Sequence, residues 1–568
     1  MRLTPIVLVA LSLLAGCFGG EDGTSDPVQD EPVSGLSADA DLTTYAPFSL
    51  QLCDQGYRLV QVAMQATAAS ADRSCDFRVT KPLEDPTRFD WQGQHGPGNE
   101  VSMAVDPNSP LTLAGGAKDY TVSYISDTAD CGEYTVWNGH FWSHDGGRTW
   151  ANDLVPGFVG DPRPSPLKGN LCNTDPVSVF DSDGTYWHNG LNYRGAREDV
   201  GDPITPTGDG GVLTGSQIFF ARSTDGAQTF DRITFASYGQ NDPGIFNDKN
   251  WVAVDPDSDH MIHTWTNFYA AAPLIMYVES FDAGATWSQP VPLTPGPSIP
   301  GITGGQAGLA APTGQFSMPQ YDADGDVWVI WSAAGGVAIT RGDRHRDLIE
   351  QDERVATVFE PARIAVTPGG MGGTGCLTKA DFRTSVYPVF AVDTYGADHR
   401  NRKYLAWPAA GVTGTGIWVS HSDDALTWTA PVEVTKDLPE DQFMSWIDVD
   451  PFGTVHVAYY DCSVDVGGTN MTMGYTYSLD GGDTWAPNVW VGQIPFDGDL
   501  GHHQSGVPFI GDYIAVDASC QAVHFFWADT RHGRSDVYAA TLLRDPLAMN
   551  AYAPELGSGG VSCDYDGP

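Results

Sequence analysis

The octapeptide Ser143-His-Asp-Gly-Gly-Arg-Thr-Trp150 is not alone in this chain. It returns as Ser223-Thr-Asp-Gly-Ala-Gln-Thr-Phe230, as Ser280-Phe-Asp-Ala-Gly-Ala-Thr-Trp287 and as Ser478-Leu-Asp-Gly-Gly-Asp-Thr-Trp485. A worn copy spans His421-Ser-Asp-Asp-Ala-Leu-Thr-Trp428, with Asp423 aligned to Asp145, Asp225, Asp282 and Asp480. Each part of the pattern S-x-D-x-G-x-T-W has a physical task. The Asp carboxylate accepts backbone N–H groups of its own turn. The Gly adopts a backbone conformation that other residues resist. The terminal Trp or Phe anchors the turn by burying a ring. Five copies amount to an internal repeat, and a repeat of this kind decides the architecture.

A second repeat runs in phase with the first: a short apolar strand, an Asp in a turn, then another apolar strand. The copies include Val101-Ser-Met-Ala-Val-Asp-Pro107, Trp251-Val-Ala-Val-Asp-Pro256 and Tyr513-Ile-Ala-Val-Asp517, and the seven turn aspartates are 106, 181, 255, 322, 393, 450 and 517. They are spaced more widely than the minimal propeller blade of about 40–45 residues, so the units carry long loops. Short β-branched runs broken by Gly and Pro indicate an all-β chain. The expected fold is a β-propeller of four-stranded antiparallel blades, seven by this count and six if one unit is an excursion. A short helix is expected at Leu348–Val358.

The octapeptides resemble the Asp-box, or BNR repeat, of sialidases and many other β-propellers. The resemblance covers most of the chain after about Trp91. It implies that each box lies in the hairpin between the third and fourth strands of a blade, away from the ligand-binding face, as a structural staple. It also implies a sialidase-like frame, in which an Arg triad holds a substrate carboxylate, a Tyr acts as nucleophile and an Asp as acid/base. By position the triad would be Arg194, Arg383 and Arg531, with Tyr193 or Tyr513 as nucleophile and Asp248 or Asp512 among the carboxylates. The family's Phe/Tyr-Arg-Ile-Pro motif is absent, and Arg383 stands instead in Asp-Phe-Arg-Thr-Ser.

Composition narrows the partners. With 72 acidic and 29 basic residues among 568, the net charge is −43. That field repels nucleic acid and anionic lipid surfaces. Pro5 to Leu14 is an apolar run too short to span a bilayer. Leu14-Ala-Gly-Cys17 resembles a lipobox, which implies cleavage before Cys17 and acylation of that residue. Residues 18–46 read as an acidic tether, 47–90 as an N-terminal cap or a ring-closing strand, 91–545 as the propeller and 546–568 as a tail. The chain is expected at the cell surface, a monomer touching the membrane only through lipid. The eight cysteines after Cys17 suit disulfides in an exported protein. Pairing neighbours gives Cys53–Cys75, Cys131–Cys172, Cys376–Cys462 and Cys520–Cys563.

In a propeller the entry to the first strand and the exit of the second share one face around the channel. Glu100, Asp175, Lys249, Tyr193, Asp461 and Asp529 are therefore candidate ligand-binding residues. Mixed carboxylates, cations and aromatics suit a glycan or another polar ligand. Three functions stay open: glycan binding, exo-acting glycoside hydrolysis of the sialidase type, and adhesion to a surface protein. No cofactor is required. The turns Asp255-Pro-Asp-Ser-Asp259 and Asp322-Ala-Asp-Gly-Asp326 admit calcium but lack the Glu that closes an EF-hand loop.

Overall fold

In the computed structural model, residues 96 to 543 are described except for several connecting stretches, together with the strands Ser49–Leu50, Gln61–Val62 and Phe77–Arg78. Cys17, the tether, the C-terminal tail and Arg383 lie outside the described residues. Seven antiparallel sheets follow one another around a ring. Their innermost strands are Gly98–Asp106, Asn170–Phe180, Ile245–Val254, Gly314–Tyr321, Val389–Val392, Gln442–Val449 and Ala515–Ala518, which number blades 1 to 7. The outermost strand of blade 7 comes from the other end of the chain: Phe77–Arg78 pairs with Asp536–Leu543, so residues near both ends close the ring.

The all-β reading holds: no α-helix occurs among the described residues, and no helix there is long and apolar enough to cross a membrane. Of the expected short helix, Leu348 to Val355 lie outside the described residues and Val358 lies in a strand. Apolar side chains fill the seams between blades, with Trp137, Trp187, Trp265, Trp331, Trp407 and Trp527 fully buried. Each buries a large apolar area, and the indole N–H of Trp137, Trp187, Trp265 and Trp527 donates to Val155 O, Asp181, Asn247 and Asp529. Cys172 is disulfide-bonded. Each expected cysteine pair has at least one member outside the described residues.

The octapeptides sit between third and fourth strands, as the resemblance implied. Ser143 Oγ donates to Asp145 Oδ1 at 2.8 Å and accepts the Gly147 N–H at 2.9 Å, while Thr149 N–H and Oγ1 donate to the two Asp145 oxygens at 2.9 and 2.6 Å. The worn copy is offset by one residue. There Ser422 takes the leading position and Asp424, not Asp423, accepts the turn's N–H groups from Leu426 and Thr427 at 2.7 Å. Those donors hold the Asp424 carboxyl down at about 2. Asp423 instead binds Arg402 Nε at 2.7 Å.

The inner turns lie at the same end of the ring as the boxes. Asp181 and Asp322 each accept a backbone N–H from two and from four residues ahead, and the Nε1 of Trp187 and Trp328 donates to their other oxygens. Asp255 likewise accepts the Asp257 N–H and the Ser258 hydroxyl. Blade 7 departs from the expected turn. Asp517 lies within its strand, and Ser519 takes the turn position, with its N–H bonded to Ala522 O. The blade 7 hairpin is longer than the shared Val-Asp pattern suggests.

Candidate functional site

At the opposite end from the boxes, the innermost strands share a feature that sequence reasoning missed. Glu100, Asp175, Lys249, Phe316 and Met444 each stand six residues before their turn aspartate, and each has positive φ, between 50° and 58°. The pairing register slips at every one of them, as at a β-bulge. On blade 7 Gly511 takes φ 101°. A Cβ there would lie 2.5 Å from the Glu100 nitrogen, so only glycine fits. The bulge recurs around the ring, and its side-chain chemistry divides the channel into two sectors.

The sector of blades 7, 1, 2 and 3 is ionic. Lys249 Nζ lies 2.6 Å from Asp512 Oδ2, 3.3 Å from Glu100 Oε1 and 3.8 Å from Asp175 Oδ2. Lys118 Nζ reaches the other Glu100 oxygen at 3.2 Å. These side chains are 10% exposed or less. Burial raises the Glu100 pKa, against the pull of Lys118 and Lys249. Burial also disfavours the charge on Lys249, but Asp512, Glu100 and Asp175 outweigh it and hold the ammonium well above its ordinary value. The sector of blades 3 to 6 is apolar. Phe316 stacks on Tyr387 at 4.4 Å, Trp251 meets Trp446 at 4.9 Å and Tyr513 at 6.0 Å, and Met444 is buried beside them.

Four of the expected site residues, Glu100, Asp175, Lys249 and Asp512, thus meet in one cluster. The others separate. Tyr513 is buried under it, and burial and then the Asp175 and Glu100 charges raise its phenol well above the usual range. It is a poor nucleophile there. Arg531 is spent on Asp529, with Nε and Nη2 at 3.0 and 2.5 Å from its two oxygens, and its guanidinium lies 4.1 Å over the Tyr538 ring. The side chain is 3% exposed, so Arg531 is a structural pair rather than a substrate clamp. Asp529 also accepts Trp527 Nε1. Asp461 accepts hydrogen bonds from Gln442, Ser463 and Trp490. For Arg194 only the backbone, at the end of strand Tyr186–Arg194, is described.

Beside the cluster, blades 2 and 3 meet at a group of aromatic side chains. Phe246 is 36% exposed and stacks on Tyr193 at 5.6 Å with 19° between planes, and Phe268 stands 6.1 Å away. Tyr193 donates its hydroxyl to Asn247 O at 3.3 Å. Two residues along, the half-buried Asp248 carboxylate accepts Gln315 Nε2 at 3.1 Å. His502 and His503 lie in the strand His502–Gln504 of a hairpin, with the His502 ring 3.9 Å from Tyr120. Among the described residues, no group of three or more His, Cys, Asp or Glu is placed to hold a metal.

No family model and no curated protein matches this chain. Among solved structures it is similar to the NanB sialidase of Streptococcus pneumoniae, at 12% identity over 67% of this chain and 68% of that one, with a TM-score of 0.39. It is similar to an α-L-arabinanase of Penicillium chrysogenum, at 11% identity over 82% and 97% of the two chains and a TM-score of 0.39. A protein of unknown function from Dyadobacter fermentans matches at 14% identity, over 65% and 92%, with a TM-score of 0.40.

Proposed function

We propose that this propeller binds a glycan or comparable polyhydroxylated ligand on the face opposite the boxes, at the blade 2–blade 3 sector. Phe246 carries the reading. An aromatic ring left open on a packed face gains by being covered, and the C–H face of a sugar covers it. The neighbouring Asp248 and Gln315 supply an acceptor and a donor for the hydroxyl edge. Hydrolysis of the sialidase type is the weaker reading, because Arg531 is committed to Asp529 and Tyr513 is buried and protonated. The proposal also places the protein on the cell surface through acylated Cys17. Retention of a Cys17→Ser variant in the membrane fraction would count against that part.

The test is a glycan binding screen, with turnover of an aryl glycoside panel measured in parallel. Phe246→Ala should weaken binding of any hit by roughly tenfold, the size of one aromatic contact. Asp248→Asn should shift the preference among hydroxyl patterns. Unchanged affinity in both variants would move the site elsewhere. Turnover on any substrate would replace the binding reading with a hydrolytic one.

A further inference from the structure

Lys249 enters from blade 3 and Asp512 from the segment leading into blade 7, and their side chains meet at 2.6 Å. The two are 6% and 2% exposed. Glu100 stands 3.3 Å from the same Nζ and is 1% exposed. The Tyr513 ring closes one side, with the Lys249 ammonium 5.6 Å from its centroid, and Trp251 and Phe316 pack against that ring. Lys249 and Glu100 project from bulges at φ 50°, and Gly511, next to Asp512, is at φ 101°. The three reacting groups are thus held by the backbone of three blades.

We propose that Lys249 and Asp512 condense into an intramolecular isopeptide bond that pins blade 3 to blade 7, with Glu100 as the proton shuttle. This inference does not rest on the ligand reading. A proton passes from the Lys249 ammonium to the Asp512 carboxylate, giving a neutral amine and a neutral acid. The Nζ lone pair attacks Asp512 Cγ and an N–C bond forms. Glu100 takes a proton from Nζ and returns one to the departing hydroxyl. The C–O bond breaks and water leaves. The balance is one ammonium and one carboxylate giving one amide and one water, with Glu100 unchanged and no oxidant or activating group consumed.

Contact geometry favours the step, because a fixed neighbour acts at an effective concentration that no free carboxylate reaches. Dryness favours it as well, since a buried ion pair carries a desolvation penalty that the neutral amide does not. The carboxylates around Lys249 favour its charged form, so the reactive neutral pair is a minor species. A reaction needed once per molecule tolerates that. Asp512 is the partner because it is nearer than Glu100 or Asp175. The bond has an evident use: among the described residues, the N-terminal part of the chain joins blade 7 through the two-residue strand Phe77–Arg78.

The experiment is mass spectrometry of the full chain, reduced and denatured. The wild type should be lighter than its sequence by one water. Digestion should give a branched peptide joining Lys249 to Asp512, with no tryptic cut after Lys249; this readout is independent of N-terminal processing. Lys249→Arg keeps the cation but cannot form the amide, and should show full mass. Glu100→Gln should show full mass or slow loss of water, with folding of both variants checked by circular dichroism. Full mass in the wild type, with trypsin cutting after Lys249, would leave an ion pair and overturn the proposal. Complete bond formation in Glu100→Gln would remove the shuttle role.

Discussion

Gly511 shows how much one missing side chain decides. Its φ of 101° and its approach to the Glu100 backbone leave no room for a Cβ. Gly511→Ala should cost about 1–3 kcal/mol from backbone strain, with more from the clash, read as a lower urea midpoint. It should also displace Asp512 from Lys249. At the same scale, Arg531 leaves the expected Arg triad for a local reason. Arg531 lies two residues from Asp529, close enough to fold back on it. Sequence spacing showed the proximity, but not that the fork would close on this carboxylate rather than face the channel.

The box, as an element, does more than close its own turn. The residue after the box aspartate has positive φ in every copy: Gly146, Gly226, Ala283, Ala425 and Gly481. That conformation turns its carbonyl toward the preceding blade. Thr541 donates to Gly146 O, Arg232 to Ala283 O, Arg363 to Ala425 O and Arg402 to Gly481 O. The box aromatics enter the same seams, with Trp150 on Phe526 and Trp287 on Phe220. The box is thus a fastener between blades, where its sequence indicated only a local staple. Ser143→Ala should cost about 1–3 kcal/mol, since it strands the buried Gly147 N–H. Ser422→Ala in the worn copy should cost less, because Ser422 Oγ only donates to Asp424. Paired denaturation curves would check the difference.

At the scale of the ring, carboxylates stitch the inner strands of three neighbouring blades. Asp448 accepts the Ala518 N–H at 2.8 Å, and Asp517 accepts the Val105 N–H at 2.9 Å, linking blades 6, 7 and 1. Burial and then the Asp517 charge push Asp448 well above the carboxylate range, and burial lifts Asp517 to about 6. Tyr395 feels both charges, while His456 and His524, paired in register with them, are held neutral by burial at about 3. A carboxyl whose folded pKa is raised adds stability below its unfolded pKa and loses it as pH rises through the folded one. Both contributions should therefore be fully present below about pH 4 and be lost as pH rises, that of Asp517 through about 6. Asp448→Asn keeps the bond to Ala518 and should raise the melting temperature at pH 7–8 while leaving it nearly unchanged near pH 4. Both side chains are partly open to the channel, so solvent reduces the effect.

By itself the sequence determined the repeat and the all-β class and favoured seven blades over six, because each blade is a local unit whose turn chemistry is written in consecutive residues; the closed ring decided the count of seven. The same locality makes the box hydrogen bonds legible from Ser143 to Thr149. Only the tertiary structure decided which charges meet. Glu100, Lys249 and Asp512 lie far apart in the chain and converge because inner strands from different blades share one channel. It also decided that Arg531 is spent and that Phe246 is open. Burial and partnership belong to the closed ring, where each side chain's environment is set by the next blade rather than by its neighbours in sequence.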